Sequence, residues 1–527
     1  MQLDVLSRTL LFGAVVSLLL PGSARAGDVL NADQVCASEE LRLDRHRYLR
    51  SLSLELSGEL PTMERYAQLD ALEDVPDAWV DDLLASEGFV KRFVKAQRAL
   101  LWNNITFVRV LQNRSRLRRL AGVYLTNSNR SVMYRGENVS CRDEPLEVVD
   151  GVIETTPDGD ALREGRRSDV VPYWDPSAPV KVCGFDAQEA LFSPTGTDCS
   201  TPEGAFDPGC GCGPNMNWCG TRATRDAVKE SFGEAMDKTL EHLIREGSPY
   251  TELFTTRVAY VNGPLVHYWK HWVSISGGVQ NEPVPLDVSV LPDLPFTARD
   301  TWVQIELPES HAGLLTRPAY LLRFQTNRGR ASQFYTQFLC KPFQPPSGAL
   351  PVADEAALNQ PDLQLRAGCK YCHAILEPTA AYWGRWPQAG AGFLEESGYP
   401  ATDPECFQCA TTGASCPDYC KRFYHTVSTS PADEAYLGML QSYLFLRTEH
   451  KVNVQQGPRL LAMKAIATNE LPACTVETTA ARLLGRPLSD DEVALQQEWI
   501  RAFATSGFSY RALVKSIVTH SIYRRVR

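Results

Sequence analysis

Cys369, Cys372 and His373 stand in the order C-x-x-C-H, within GCKYCHAILEP. Two thiols at this spacing can meet the two vinyl-derived carbons of a haem, and the next residue offers an imidazole to the iron. The expected chemistry is therefore covalent attachment of one c-type haem, with Cys369 and Cys372 as thioethers and His373 as proximal ligand. With 15 Cys and 9 His in 527 residues, the pattern would arise by chance about 0.007 times. Two other readings use the same side chains. The three could join a distant cysteine around zinc, or the two thiols could form a structural or redox-active pair.

An iron so held needs a sixth ligand for simple electron transfer, or an open position for ligand chemistry. Met439 and His425 are the candidate distal ligands, and Met463 and His450 also lie downstream. Met439 sits in YLGMLQSYLFL, which reads equally as a buried helix face. His267 and His271 are four apart, a spacing that shares a helix face and suits either a metal or an aromatic cluster. No Glu follows His267, so the zinc-protease pattern is absent, and neither G-x-S-x-G nor a phosphate loop occurs. Cys406, Cys409, Cys416 and Cys420 are spaced for zinc or for two disulfides, as are Cys199, Cys210, Cys212 and Cys219.

The elements that must position these residues are predicted to be mainly α, in several modules. Residues 1–26 read as an export signal: Arg8, the apolar run Leu10–Leu20, then Ala24 and Ala26 before Gly27. Apolar residues three to five apart predict an N-terminal helical domain over 27–135, with helix to about Asn129 and Thr62 as a cap. Residues 136–220 form a cysteine-rich irregular insertion, held by disulfides rather than by a core. A helical and mixed domain follows over 221–335, with helix over Thr221–Arg245 and Tyr250–Trp272, a short strand in TWVQIELP and a short helix in AYLLRFQT. The haem-c-like module spans 336–430 and a helical domain 431–527, in which Ser489 and Glu492 form a capping box and Tyr510–Val518 the last helix.

Bulk properties narrow the function. The chain is 44% hydrophobic and 22% charged, with a formal charge of −10 from 63 acidic and 53 basic residues. That mild acidity gives no footprint for nucleic acid. No later segment reaches 18 uninterrupted apolar residues, so a soluble or peripherally associated protein is expected after signal cleavage, in the periplasm or secreted. Fifteen cysteines suit an oxidising compartment.

The chain resembles exported haem-c-type proteins of planctomycetes and myxobacteria, built from domains of unknown function. The resemblance is carried by HAGLLTRPAYLL, Arg328–Gly329–Arg330, FLCKPFQPPSG and CKYCHAILEPTAAYWGRW. LFTTRVAYVNGPLVHYWK, LLGRPLSDDEVALQQEWIRAF and LVKSIVTHSIYRRVR resemble neighbouring modules. It covers about two thirds of the chain and skips the cysteine-rich insertion. Gly384, Arg385 and Trp386 match the family's Gly-Arg-Trp; where the family has Phe-Asp before the glycine, this chain has Tyr382 and Trp383. The resemblance implies an exported haem protein. Proximity to the motif nominates Arg385 for a haem propionate and Trp383 or Trp386 for packing on the macrocycle. The expected function is extracytoplasmic electron transfer with an unidentified redox partner protein. The alternatives are a haem-dependent oxidoreductase or redox subunit, and a non-catalytic, disulfide-stabilised binding or scaffold protein.

Overall fold

The computed structural model describes residues 42–525 apart from 103, 106, 121, 127–147, 150–151, 154–165, 185, 208, 277–286 and 345–357. The expected export signal, Cys36 and Cys141 lie outside the described residues. Asp44 accepts from the N–H groups of His46 and Arg47 and opens α1 (Arg45–Leu56). Thr62, the expected cap, accepts from Arg65 and opens α2 (Met63–Asp70). α3 (Asp77–Ala85) leads into α4 (Glu87–Leu101), which buries Phe89, Val90, Phe93, Val94, Gln97 and Leu101 along one face.

The helical run expected to about Asn129 ends earlier. Strands β1 (Leu117–Leu120) and β2 (Val123–Thr126) form an antiparallel hairpin. Gly122, with φ +86°, supplies the left-handed turn. Val123, Tyr124 and Thr126 are residue types that pack well on a pleated surface. β3 (Arg166–Val170) and β4 (Val180–Cys183) complete a sheet in the order β1-β2-β4-β3, with β2 and β4 parallel. The cysteine-rich insertion therefore contributes strands and helps enclose a small core of Leu117, Val170, Val182, Ala187 and Met216. Its expected staples are present as Cys199–Cys210 and Cys212–Cys219.

Thr221 caps the long α5 (Arg222–Glu246), and Gly247, φ +70°, ends it. The stretch Tyr250–Trp272, expected as helix, is broken. It runs through a 3-10 turn at Tyr250–Phe254, then β5 (Val258–Val261), then α6 (Gly263–His267). β5 is a strand because it pairs antiparallel with β6 (Val303–Glu306), the strand expected in TWVQIELP. Helices α7 (Pro318–Arg323) and α8 (Asn327–Phe338) lead toward α9 (Lys370–Ala380), which carries the C-x-x-C-H residues.

Two short helices, α10 (Pro404–Thr412) and α11 (Asp418–Phe423), are tied by Cys406–Cys420 and Cys409–Cys416. α12 (Thr448–Ala467), α13 (Glu470–Leu484), α14 (Val493–Thr505) and α15 (Tyr510–Val518) close the chain. One apolar cluster runs from Tyr48 to Tyr523 and draws on the first, middle and last helical segments. A smaller one surrounds the α10–α11 disulfides. The fold is thus mainly helical and multi-segment, with several disulfides. No helix among the described residues is long and apolar enough to cross a membrane.

Candidate functional site

Gly368, φ +78°, turns the chain into α9 in a conformation that favours glycine. Cys369 then starts the helix, and the N–H groups of Cys372 and His373 donate to its carbonyl at 3.2 and 3.0 Å. Both thiols are half-buried and free. The eleven other described cysteines are all disulfide-bonded. No described cysteine is therefore left as an additional zinc ligand, and the two motif thiols are not bonded to each other.

His373 is oriented from its own helix. Its Nδ1 lies 2.5 Å from Glu377 Oε1, one turn on, and the same carboxylate oxygen accepts Arg328 Nε at 2.7 Å. An ionised carboxylate can only accept, so Nδ1 carries a proton, and in the neutral ring Nε2 keeps its lone pair. That is the tautomer a metal-ligating imidazole needs, held by the kind of carboxylate partner that fixes such rings.

His373, Glu377, Ala380 and Gly384 are three to four residues apart and continue one face of the helix. A cavity of ≈690 Å³ has Glu377, Ala380, Ala381 and Gly384 in its wall, whereas Cys369, Cys372 and His373 are not among its lining residues. The volume falls within the roughly 300–1,000 Å³ of small-molecule and cofactor sites. Leu394, Phe423, Leu444 and Phe445 give it apolar surface, while Arg328, Trp386, Arg422, His425 and Ser442 give it polar groups. Trp386 Nε1, Ser442 Oγ and His425 Nε2 are buried without a hydrogen-bond partner among the described residues. Such orphaned atoms are costly unless a ligand or water meets them.

His425 reaches this wall because the backbone around it is pinned. Its N–H donates to Met439 O at 2.8 Å, and Gly438 N–H donates to its carbonyl at 2.9 Å. Asp433 Oδ2 lies 3.6 Å from its Nε2. Burial pushes the Asp433 carboxyl up, but hydrogen bonds from Ser428, Thr429 and Ser430 outweigh it and hold the group well below the ordinary carboxylate range. Met439, the other distal candidate, is half-buried and off this wall. Met463 is 52% exposed. His450 lines a separate cavity of ≈410 Å³ with Ile375, Thr379 and Tyr382 of the other helix face.

The three nominated residues after the motif divide. Trp386 is in the cavity wall. Trp383 is fully buried elsewhere, its Nε1 donating to Leu315 O at 3.0 Å. Arg385 lies off the wall and spends Nη1 on the carbonyls of Leu394 and Tyr399, at 2.9 and 3.0 Å, and Nε on Gln455. Sequence reasoning misses Glu377, Arg328 and Ser442 as site residues. Only Glu377 carries a signal, its position four residues after His373.

The other clusters resolve as structure. Asp403, Cys406 and Cys420 converge, but the two sulfurs are bonded to each other. His267 and His271 have ring centroids 4.8 Å apart, and no third ligand joins them among the described residues. His267 Nε2 donates to Asn217 O at 3.1 Å and its ring stacks on Tyr173 at 3.7 Å. Burial, then the neighbouring His271, pushes His267 well below the usual histidine range. Comparison of the chain with protein-family models, curated proteins and solved structures finds no match.

Proposed function

We propose that the chain is an exported monohaem c-type protein that transfers electrons outside the cytoplasm, in the periplasm or beyond it. Cys369 and Cys372 would be the thioether positions and His373 Nε2 the proximal ligand. The observation that carries this reading is selective: eleven described cysteines are bonded, and the two in C-x-x-C-H remain thiols. Free thiols are what covalent attachment requires. The Glu377 hydrogen bond that leaves Nε2 available supports the same reading, as does the resemblance to exported haem-c-type proteins.

A haem bound there would supply one-electron chemistry between ferrous and ferric iron. The chain's own residues do the rest. Glu377 fixes the proximal ring. Arg328, Trp386 Nε1 and Ser442 Oγ would offer donors to the haem's carboxylates, and Leu394, Phe423 and Phe445 would give it apolar surface. His425, on the wall with Asp433 Oδ2 3.6 Å from its Nε2, would be the candidate for a further iron ligand.

Protein exported from a host with c-type maturation machinery should carry the mass of one haem under denaturing conditions. Cys369→Ala with Cys372→Ala should lose it. The ferric spectrum should be low-spin, turning high-spin in His425→Ala. A high-spin wild type would shift the reading to ligand chemistry. No covalent haem at full maturation would overturn it and leave the binding or scaffold protein.

A further inference from the structure

A second cavity lies against α5 and the antiparallel β5–β6 pair, and none of the C-x-x-C-H residues lines it. It measures ≈50 Å³ and has His311 and Arg317 in its wall. The two are 1% and 5% exposed. Arg317 stands directly before α7 and gives Nη2 to the Val258 carbonyl. Its Nε and Nη1, and His311 Nε2, are buried with no hydrogen-bond partner among the described residues. No Asp or Glu is in the wall.

The proton inventory is one-sided. Thr316 Oγ1 accepts Ala312 N–H at 2.8 Å and lies within hydrogen-bond distance of His311 Nδ1, at 3.2 Å. Burial, then the charge of Arg317, pushes His311 down to about 3, so the imidazole is neutral. Burial pushes Arg317 down only to about 10, so the guanidinium stays charged at neutral pH. Two unpaired guanidinium N–H groups and one positive charge are buried at a cavity whose wall carries no carboxylate. An uncompensated buried charge is among the costliest arrangements in a protein interior, and an anion is the complement that removes it.

The rest of the wall sets the class of anion. Phe232, Met236 and Leu265 make it apolar, and Tyr260, Trp269 and Ile305 in it are only half-buried, which gives access from solvent. One water needs roughly 10–15 Å³ of such space, so the cavity takes a few heavy atoms and excludes sugars and nucleotides. We propose that Arg317 and His311 form a binding site for a small monovalent anion, a short carboxylate or a halide. The proposal does not depend on the haem reading.

The full-length exported protein is titrated calorimetrically with sodium acetate, propionate and chloride at constant ionic strength. Saturable one-to-one binding is expected, with a change in Trp269 emission and a raised melting temperature. Tighter acetate or propionate assigns a carboxylate site, tighter chloride a halide site. Arg317→Met should weaken binding at least tenfold. Ala235→Leu, which fills the cavity from α5 and keeps the charge, should do the same and carries the test if Arg317→Met does not fold. No binding by folded wild type, or equal binding by wild type and Ala235→Leu, overturns the proposal and leaves water as the occupant.

Discussion

Arg330 is as buried as any residue in the chain and, unlike Arg317, has every nitrogen engaged. Nε donates to Phe324 O at 2.9 Å, Nη1 to Asn327 Oδ1 and Trp386 O at 2.8 and 2.7 Å. Nη2 reaches the carbonyls of Leu321, Pro387 and Gly390 at 3.2, 3.0 and 3.0 Å. Burial pushes it down to about 9, still a cation at neutral pH. A planar fork of donors satisfies carbonyls at several angles, which an ammonium cannot do. Three of those carbonyls belong to the Trp386–Gly390 turn, and Trp386, Pro387 and Ala389 form one side of the larger cavity. Arg330→Met should therefore cost about 3 kcal/mol or more, since each buried carbonyl left unpaired costs roughly 1–3 kcal/mol. Arg330→Lys should recover only part. Urea midpoints read both, and a midpoint within error of wild type would mean that the Trp386–Gly390 turn holds without the guanidinium.

At the scale of elements, local signals were legible and long-range pairings were not. The Ser489–Glu492 capping box and the last helix, Tyr510–Val518, stand where their sequence places them. Each depends on residues within one or two turns. Val258–Val261 does not: it is a strand only because Val303–Glu306 pairs with it, and its apolar residues also fit a helical period. The site divides the same way. C-x-x-C-H is contiguous and was legible, whereas Arg328, His425 and Ser442 meet in one wall from separate segments. The capping box has a measurable consequence. Hydrogen bonds from Arg486, opposed by burial and helped by Ser489, hold Glu492 at about 2 against an ordinary 4.5. The unfolded carboxyl protonates first, so this stabilisation is present above about pH 4.5 and is lost as pH falls toward 2. Wild type should exceed Glu492→Gln by on the order of 1 kcal/mol at pH 7. The gap should close between pH 4.5 and 2, as read by urea midpoints across pH. A gap that stays constant with pH would mean the carboxylate charge contributes nothing.

Across the whole molecule, one covalent tie governs the part that holds the candidate haem site. Cys340, just after α8, is bonded to Cys474 in α13, across a sequence separation of 134. The enclosed segment contains α9, both small disulfides of α10 and α11, and nearly the whole wall of the larger cavity. α8 packs directly on both α9 and α13. The disulfide therefore closes the segment at the helices on which its motif rests. Closing a long loop restricts the unfolded chain more than the folded one, and such a bond typically contributes about 2–4 kcal/mol. Its loss should not, by this argument, remove any group from the cavity. Cys340→Ser with Cys474→Ser should lower the unfolding free energy by that amount while leaving the free thiols, or the attached haem, in place. The first is read by urea denaturation, the second by intact mass before and after alkylation of the folded protein. If Cys369 or Cys372 instead becomes disulfide-bonded in this variant, the Cys340–Cys474 bond does more than close a loop. It would then also keep the two motif thiols out of disulfide exchange, and its formation would have to precede theirs in maturation.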